Sequence, residues 1–162
     1  FMSSVADISL NPEARLSQTA IYAVVEKIRH HPSIYKRAGS VHACAVFKNS
    51  PTGIELLYFI EDVGRHNAVD AISGLMWLDR QSGESLVFYT TGRLTSEMVI
   101  KGGQMGIPFL MTRSGATEMG LSLAQQINLC ILARCSGRHF LVYQGAQRII
   151  FDCLATSSSD AL

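Results

Sequence analysis

The sequence predicts an α/β protein, a three-layer mixed sheet with helices on both faces, and three observations carry that expectation. Apolar residues recur at helical spacing in four separate segments. Short β-branched and aromatic runs stand between them and read as strands. The first two runs are joined only by Asn49-Ser50-Pro51-Thr52-Gly53, so they form an antiparallel hairpin, while the later strand and helix alternation makes a partly parallel sheet.

In order along the chain, Asn11-Pro12-Glu13 places a proline at a first helical position, and Leu16, Ala20, Ala23, Val24 and Ile28 follow at helical spacing. This predicts a helix over about residues 12 to 30. After the polar link Lys36 to Ser40, Val41 to Phe47 and Ile54 to Ile60 make the hairpin. Val69, Ile72, Leu75, Met76 and Leu78 are spaced for a helix that opens near Asn67, and Ser85 to Thr91 is the next strand. The alternation continues with a helix over Thr95 to Met105, a strand over Ile107 to Met111 and a helix over Thr117 to Asn128. Leu129 to Ala133 and Phe140 to Tyr143 complete the strands.

A single domain over 11–154 follows, with 1–10 an N-terminal extension and 155–162 a frayed tail around Ser157 to Asp160. The chain begins Phe1-Met2, which reads as a remnant before Met2 or the edge of a longer polypeptide.

At 162 residues, 48% hydrophobic and 17% charged, the chain has enough apolar material for one sizeable core. The net charge of +1, without runs of like charge, argues against a nucleic-acid surface. No apolar stretch approaches the ~18 residues that span a bilayer, and no signal peptide is visible, so a cytoplasmic protein without a membrane anchor is expected.

Chemistry concentrates in Glu61-Asp62-Val63-Gly64-Arg65-His66-Asn67-Ala68-Val69-Asp70, where ionisable groups follow directly on an apolar strand. Burying them without partners would cost several kcal/mol, roughly. One reading is a capped helix start, with Asn67 as cap, Asp70 near the positive end and Arg65 paired to Asp62 or Glu61. The other gives Arg65 an anion contact and His66 the role of a proton shuttle or a metal ligand, the latter without a supporting ligand set.

Two strand-to-helix loops share a form that suits anions. Gly92, Arg93, Thr95, Ser96 and Glu97 lie in one, and Arg113, Ser114, Gly115 and Thr117 in the other. Small residues permit close approach, helix-start amides point outward, and arginine adds charge-assisted hydrogen bonds, although Thr95, Ser96 or Thr117 could equally cap its own helix. Arg134-Cys135-Ser136-Gly137-Arg138 can grip a phosphate or form a solvated hairpin turn.

Metal chemistry lacks support. A deaminase zinc site needs His-x-Glu and Pro-Cys-x-x-Cys, whereas Cys44 follows His42 where the Glu would stand and no C-x-x-C exists, so no zinc is expected. Cys44, Cys130 and Cys153 lack adjacent bases; only Cys135 has flanking arginines to lower its pKa.

The ten-residue motif closely resembles the hallmark of the FdhD family of formate dehydrogenase accessory sulfurtransferases. The resemblance extends through Gly39 to Ala43, including His42, then Thr91-Gly92-Arg93 with Ser96-Glu97-Met98-Val99 and Lys101, Gly106-Ile107-Pro108, Ser114 to Thr117, and Arg134 to Arg138 with Tyr143. It covers nearly all of 38–150.

That resemblance implies a cytidine-deaminase-like fold without the zinc site, in a cytoplasmic homodimer. It further implies transfer of persulfide sulfur from a cysteine desulfurase to the molybdenum or tungsten bis-pterin guanine dinucleotide cofactor, Mo-bis(molybdopterin guanine dinucleotide), of formate dehydrogenase, with GDP as a fragment mimic. Ala133, Arg134, Cys135, Ser136, Gly137 and Arg138 match the family's cofactor-binding segment, and Gly92, Arg93, Ser96, Ser114 and Thr117 become candidate walls of that site. His42, Glu61, Asp62, Arg65, His66, Asn67, Asp70, Glu97 and Lys101 are family motif residues without an assigned role, of which Arg65 and His66 are expected to position the cofactor or the incoming persulfide rather than react. The family's C-x-x-C persulfide loop is absent here, Ala71 replaces a common lysine, and Gly115-Ala116 replaces a usual Ala-Pro. With no catalytic residue expected in this chain, the alternative is a noncatalytic cofactor-binding or docking scaffold.

Overall fold

The structure, a computed structural model, describes residues 5–153. Its centre is a six-stranded mixed sheet in the order β3-β2-β4-β5-β6-β7. The hairpin strands β2 (His42–Ser50) and β3 (Gly53–Asp62) pair antiparallel, and β2 also pairs antiparallel with β4 (Leu86–Thr90). β4, β5 (Phe109–Thr112) and β6 (Cys130–Ser136) run parallel, and β7 (His139–Gln144) closes the edge antiparallel to β6. Mixed pairing of this kind was expected from the alternation of elements.

Both faces of the sheet are apolar, which is why helices must cover both. Alternate strand residues divide the core in two. Ala45, Phe47, Val87, Tyr89, Phe109 and Met111 pack against Ile21, Val24 and Val25 of α1 (Gln18–His30). Cys44, Val46, Leu86, Phe88 and Leu110 face the other way. There they meet Val69, Ile72 and Met76 of α3 (Arg65–Leu78), Met98 and Val99 of α4 (Ser96–Gln104), and Ala124 of α5 (Glu118–Gln126). A short helix, α2 (Ile34–Ala38), lies between α1 and β2.

The first helix departs from expectation. Asn11 to Ala14 form a turn, in which the Ala14 amide reaches the Asn11 carbonyl at 3.3 Å, and Leu16–Ser17 form a strand, β1. Ser17 then caps α1, accepting from the Ala20 amide at 3.0 Å. The reason is a distant partner: β1 pairs in parallel with β8 (Ile149–Ile150) near the other end of the chain. Arg148, 1% exposed, locks this junction by donating to the carbonyls of Asn11 at 2.7 Å and Asn128 at 3.0 Å. Burial pulls its pKa down, and the two carbonyls share its positive end. The expected fraying around Ser157 to Asp160 lies outside the described residues.

Candidate functional site

The carboxyl ends of the parallel strands are where ligands of open α/β sheets bind, and here that edge is divided by strand alternation into two unlike faces. On the α1 side lies a cavity of about 180 Å³. Its sheet-side lining consists of Ala43, Phe59 and Tyr89 on the strands and of Thr91 and Arg113 just beyond the ends of β4 and β5, all continuing the alternation of the residues that pack on α1. Val25, Ile28, Ser33 and Tyr35 form the helical wall, and Cys135, Ser136 and Gly137 close the end.

A backbone irregularity brings that last segment in. Arg134 adopts φ 54°, the β6 to β7 register shifts between Ala133 and Ser136, and the strand is re-aimed so that Cys135 turns toward α1. Gly137, at φ 58°, then makes the turn into β7 at a conformation that glycine takes without steric cost. Ala133 stays buried in the sheet, Arg134 lies near Gly115, its Nη2 3.7 Å from where a Cβ there would be, and Arg138 stacks on the Tyr22 ring at 4.7 Å. So the predicted segment divides: Cys135, Ser136 and Gly137 line the cavity, and Ala133, Arg134 and Arg138 do not.

The expectation that flanking arginines lower the Cys135 pKa is overturned. Burial pushes this thiol up to about 12, outweighing the Thr112 backbone hydrogen bond, because a thiolate would be poorly solvated there. Burial likewise raises Cys44 to about 11 and Cys130 to about 12. These thiols are packing groups.

Among the cations around the cavity, only Arg113 lacks a fixed protein partner among the described residues. Arg29 is held by Glu26 at 2.7 Å, and Lys36 donates to the carbonyls of Ile28 and His31 at 2.8 and 2.6 Å, closing the end of α1. In the sequence Arg113 falls in the second anion loop, but Ser114 and Thr117 are the candidate walls expected there, although the alternation Phe109, Met111, Arg113 puts the arginine on the α1 side.

Glu61 braces the same cavity. Its carboxylate accepts from Ser33 Oγ at 2.6 Å and from the amides of Ile34 and Tyr35 at 2.8 and 2.9 Å, so it holds the start of α2 and with it two wall residues. Burial would raise its pKa, but these hydrogen bonds, with His31 nearby, outweigh it and hold the carboxyl below its ordinary range.

The rest of the ionic motif faces α3 and α4. Asp62 accepts from the Gly64 amide at 2.8 Å and from Asn67 Nδ2 at 3.1 Å, and these two bonds lower its pKa. The cap position of α3 is Gly64 rather than Asn67, and Arg65 pairs with neither Asp62 nor Glu61. Asp62 instead spends its lone pairs on the turn, as a short acidic side chain two residues before an amide commonly does. His66 Nε2 lies 3.2 Å from Glu97, and Lys101 bonds Asp70 at 2.6 Å, so each pair ties α3 to α4. A Cβ on Gly92 would lie 3.3 Å from both His42 Nδ1 and Arg65 Cδ, which places those two side chains over its backbone.

The two predicted anion loops clasp one another. Leu94 and Ala116 form a parallel bridge, with the Leu94 amide donating to Gly115 and the Thr117 amide to Leu94, each at 3.0 Å. Thr112 Oγ1 donates to the Gly92 carbonyl at 2.6 Å and accepts from the Ser114 amide at 2.9 Å. Thr117 caps α5 through the Gly120 amide at 3.1 Å, whereas Thr95 makes no such bond. Gly92, Arg93, Ser96, Ser114 and Thr117 therefore do not line the α1-side cavity. Among the described residues no three His, Cys, Asp or Glu side chains group closely enough to hold a metal, and no helix is long and apolar enough to cross a membrane.

Comparison with known proteins agrees with this architecture. The chain is 33% identical over 142 residues to the sulfur carrier protein FdhD of Sulfurisphaera tokodaii, covering 87% of this chain and 54% of that relative. It is 29% identical over 147 residues to the sulfur carrier protein FdhD of Listeria monocytogenes, covering 91% and 55%. The chain thus spans about half the length of the curated relatives it matches. The crystal structure of a candidate formate dehydrogenase accessory protein from Desulfotalea psychrophila superposes with a TM-score of 0.81 at 32% identity, over 91% of this chain and 62% of that one. The FdhD/NarQ family model matches residues 1–150, and the chain belongs to that family.

Proposed function

We propose that this chain is the cofactor-binding domain of a sulfur carrier that serves formate dehydrogenase. In this reading its substrate is the molybdenum or tungsten bis-pterin guanine dinucleotide cofactor, to which persulfide sulfur from a cysteine desulfurase is delivered. The family membership supports the accessory role, the partners and a cytoplasmic homodimer.

The observation that carries the reading is the cavity at the strand ends. Phe59 and Tyr89 offer apolar surface suited to a flat base, while Thr91 and Ser136 offer hydrogen bonds. Arg113, uncommitted among the described residues, supplies a guanidinium for a phosphate. The chain's residues would bind and orient the nucleotide end. The dinucleotide supplies a long anionic handle that separates this contact from the metal centre where sulfur is received. With Cys44, Cys130 and Cys135 buried and held as neutral thiols, the sulfur donor is a cysteine other than these three. The same burial favours the alternative of a noncatalytic binding or docking scaffold for this polypeptide taken alone.

The test is calorimetry with GDP on the intact chain, together with amide NMR. Binding heat is expected, with shifts at Tyr89, Ser136 and Gly137, and Arg113→Ala weakens affinity about tenfold or more, the worth of a charge-assisted hydrogen bond. Absence of heat and of those shifts would remove the reading. Capture of formate dehydrogenase or the desulfurase by a chain indifferent to GDP would favour the scaffold.

A further inference from the structure

Three buried side-chain polar atoms lack a hydrogen-bond partner among the described residues, and all three lie at the starts of α3 and α4: Arg65 Nε, His66 Nδ1 and Thr95 Oγ1. Buried polar groups are almost always satisfied, so three orphans in one patch require a common explanation. Their chemistry narrows it. Arg65 Nε can only donate and the Thr95 hydroxyl can donate, so one group rich in lone pairs would satisfy both. His66 Nδ1, on a ring whose Nε2 is turned to Glu97, joins them when both ring nitrogens carry protons.

The surroundings set the charge of that group. His66 Nε2 is occupied by Glu97, and Lys101 by Asp70, so the two nearby carboxylates already have partners. Arg65 has no carboxylate within ion-pair reach among the described residues, and its stem and the His42 ring both lie over the bare backbone of Gly92. A guanidinium without a counter-charge, beside two imidazoles and a hydroxyl, selects for negative charge.

We propose that the α3 and α4 face carries a second binding site, separate from the α1-side cavity, that takes a small oxyanion of the phosphate class through Arg65, with Thr95 and His42 as accessory donors, joined by His66 in its doubly protonated form. The site does not rest on the cofactor reading, because none of these residues lines the cavity. Its neighbours are arranged to keep it selective: the two ion pairs brace the flanks, and the missing Cβ of Gly92 lets Arg65 and His42 lie together.

The experiment is an NMR titration of the intact chain with inorganic phosphate, reading the Arg65 Nε–H signal and the Gly92 amide. Saturable shifts of both are expected, and they persist in Arg113→Ala. They weaken about tenfold in Arg65→Lys, which keeps the charge but loses the Nε–H donor. Should Arg65→Lys not fold, Thr95→Val is the second variant, also expected to weaken the response. Unmoved signals in the native chain, undiminished binding in the substituted ones, or loss of the response in Arg113→Ala would each overturn the proposal. A parallel arm with GDP distinguishes the sources: a response to both ligands that survives Arg113→Ala points to a nucleotide phosphate, and a response to inorganic phosphate alone points to the free ion.

Discussion

The two faces of one sheet edge differ in almost every physical respect, although neighbouring residues supply both. Ala43, Thr91 and Arg113 line an aromatic-walled cavity on the α1 side, while His42 and Gly92, one residue away, belong to an ionic cluster on the other side. Glu61 braces the cavity through α2, and Asp62 fixes the turn into α3. The cavity side has no orphaned buried side-chain atom among the described residues; the ionic side has three. A two-residue strand period lets a single motif furnish a neutral slot and a charged patch without a second domain. If the faces are separable, changes on one should leave the other's binding intact.

The largest break is expected from Thr112→Val. Thr112 is fully buried, and its hydroxyl joins Gly92 to Ser114. Its loss strands a buried carbonyl and amide at about 1–3 kcal/mol each, so unfolding in denaturant should show about 2–4 kcal/mol lost. Phosphate shifts at Gly92 should change with it, while GDP affinity should fall less than in Arg113→Ala, because the hydroxyl lies on the face away from the cavity. A loss below about 1 kcal/mol would mean that these loops are held by something other than the threonine hub.

Glu61→Ala should cost less, about 1 kcal/mol or a little more, the worth of a helix cap. Its signature is local: faster amide exchange at Ile34 and Tyr35 with Gly92 unaffected. The pH dependence has a definite sign. Because the folded carboxyl titrates below its ordinary range, its contribution is fully present above that range and is lost as pH falls through the lower folded value. Protection of the Ile34 amide, taken relative to its intrinsic exchange rate at each pH, should therefore fall on acidification in the native chain, with no matching carboxyl-linked step in Glu61→Ala. A matching step there would assign the titration to another group.

Much of this division was legible in the sequence. The hairpin, the helical spacings and the alternation of Phe109, Met111 and Arg113 all follow from local pattern, as does the clustering of charge after β3. What escaped depends on contacts far along the chain. Asn11-Pro12-Glu13 carries a sound helix-start signal, yet pairing of Leu16 with Ile149 makes that stretch turn and strand instead. Glu61 serves a helix 26 residues earlier, a partner no spacing rule supplies. The Arg134 bulge is equally silent, because a non-glycine residue at positive φ is set by strand pairing, and one extra residue reverses which side chains reach the cavity.

The smallest effect, and the sharpest test of the boundary, belongs to Arg138. It was predicted to contact the cofactor, but it stacks on Tyr22, whose hydroxyl accepts from Gln18 at 2.9 Å and whose ring meets Phe140 edge-on at 5.8 Å. An exposed cation over a tyrosine is worth about 0.5–1 kcal/mol, so Arg138→Ala should lower stability by about that amount. If Arg138 acts only by anchoring the β6 to β7 turn against α1, GDP affinity should fall by no more than a few-fold, and Arg138→Lys should recover most of it by stacking in the same place. If instead the guanidinium leaves Tyr22 to grip a phosphate, affinity should fall about tenfold or more and lysine should recover little, because it lacks the planar fork. Calorimetry on the two variants separates the cases. The first keeps Arg113 as the principal phosphate anchor, whereas the second extends the cavity site along α1 to the groove beside Tyr22.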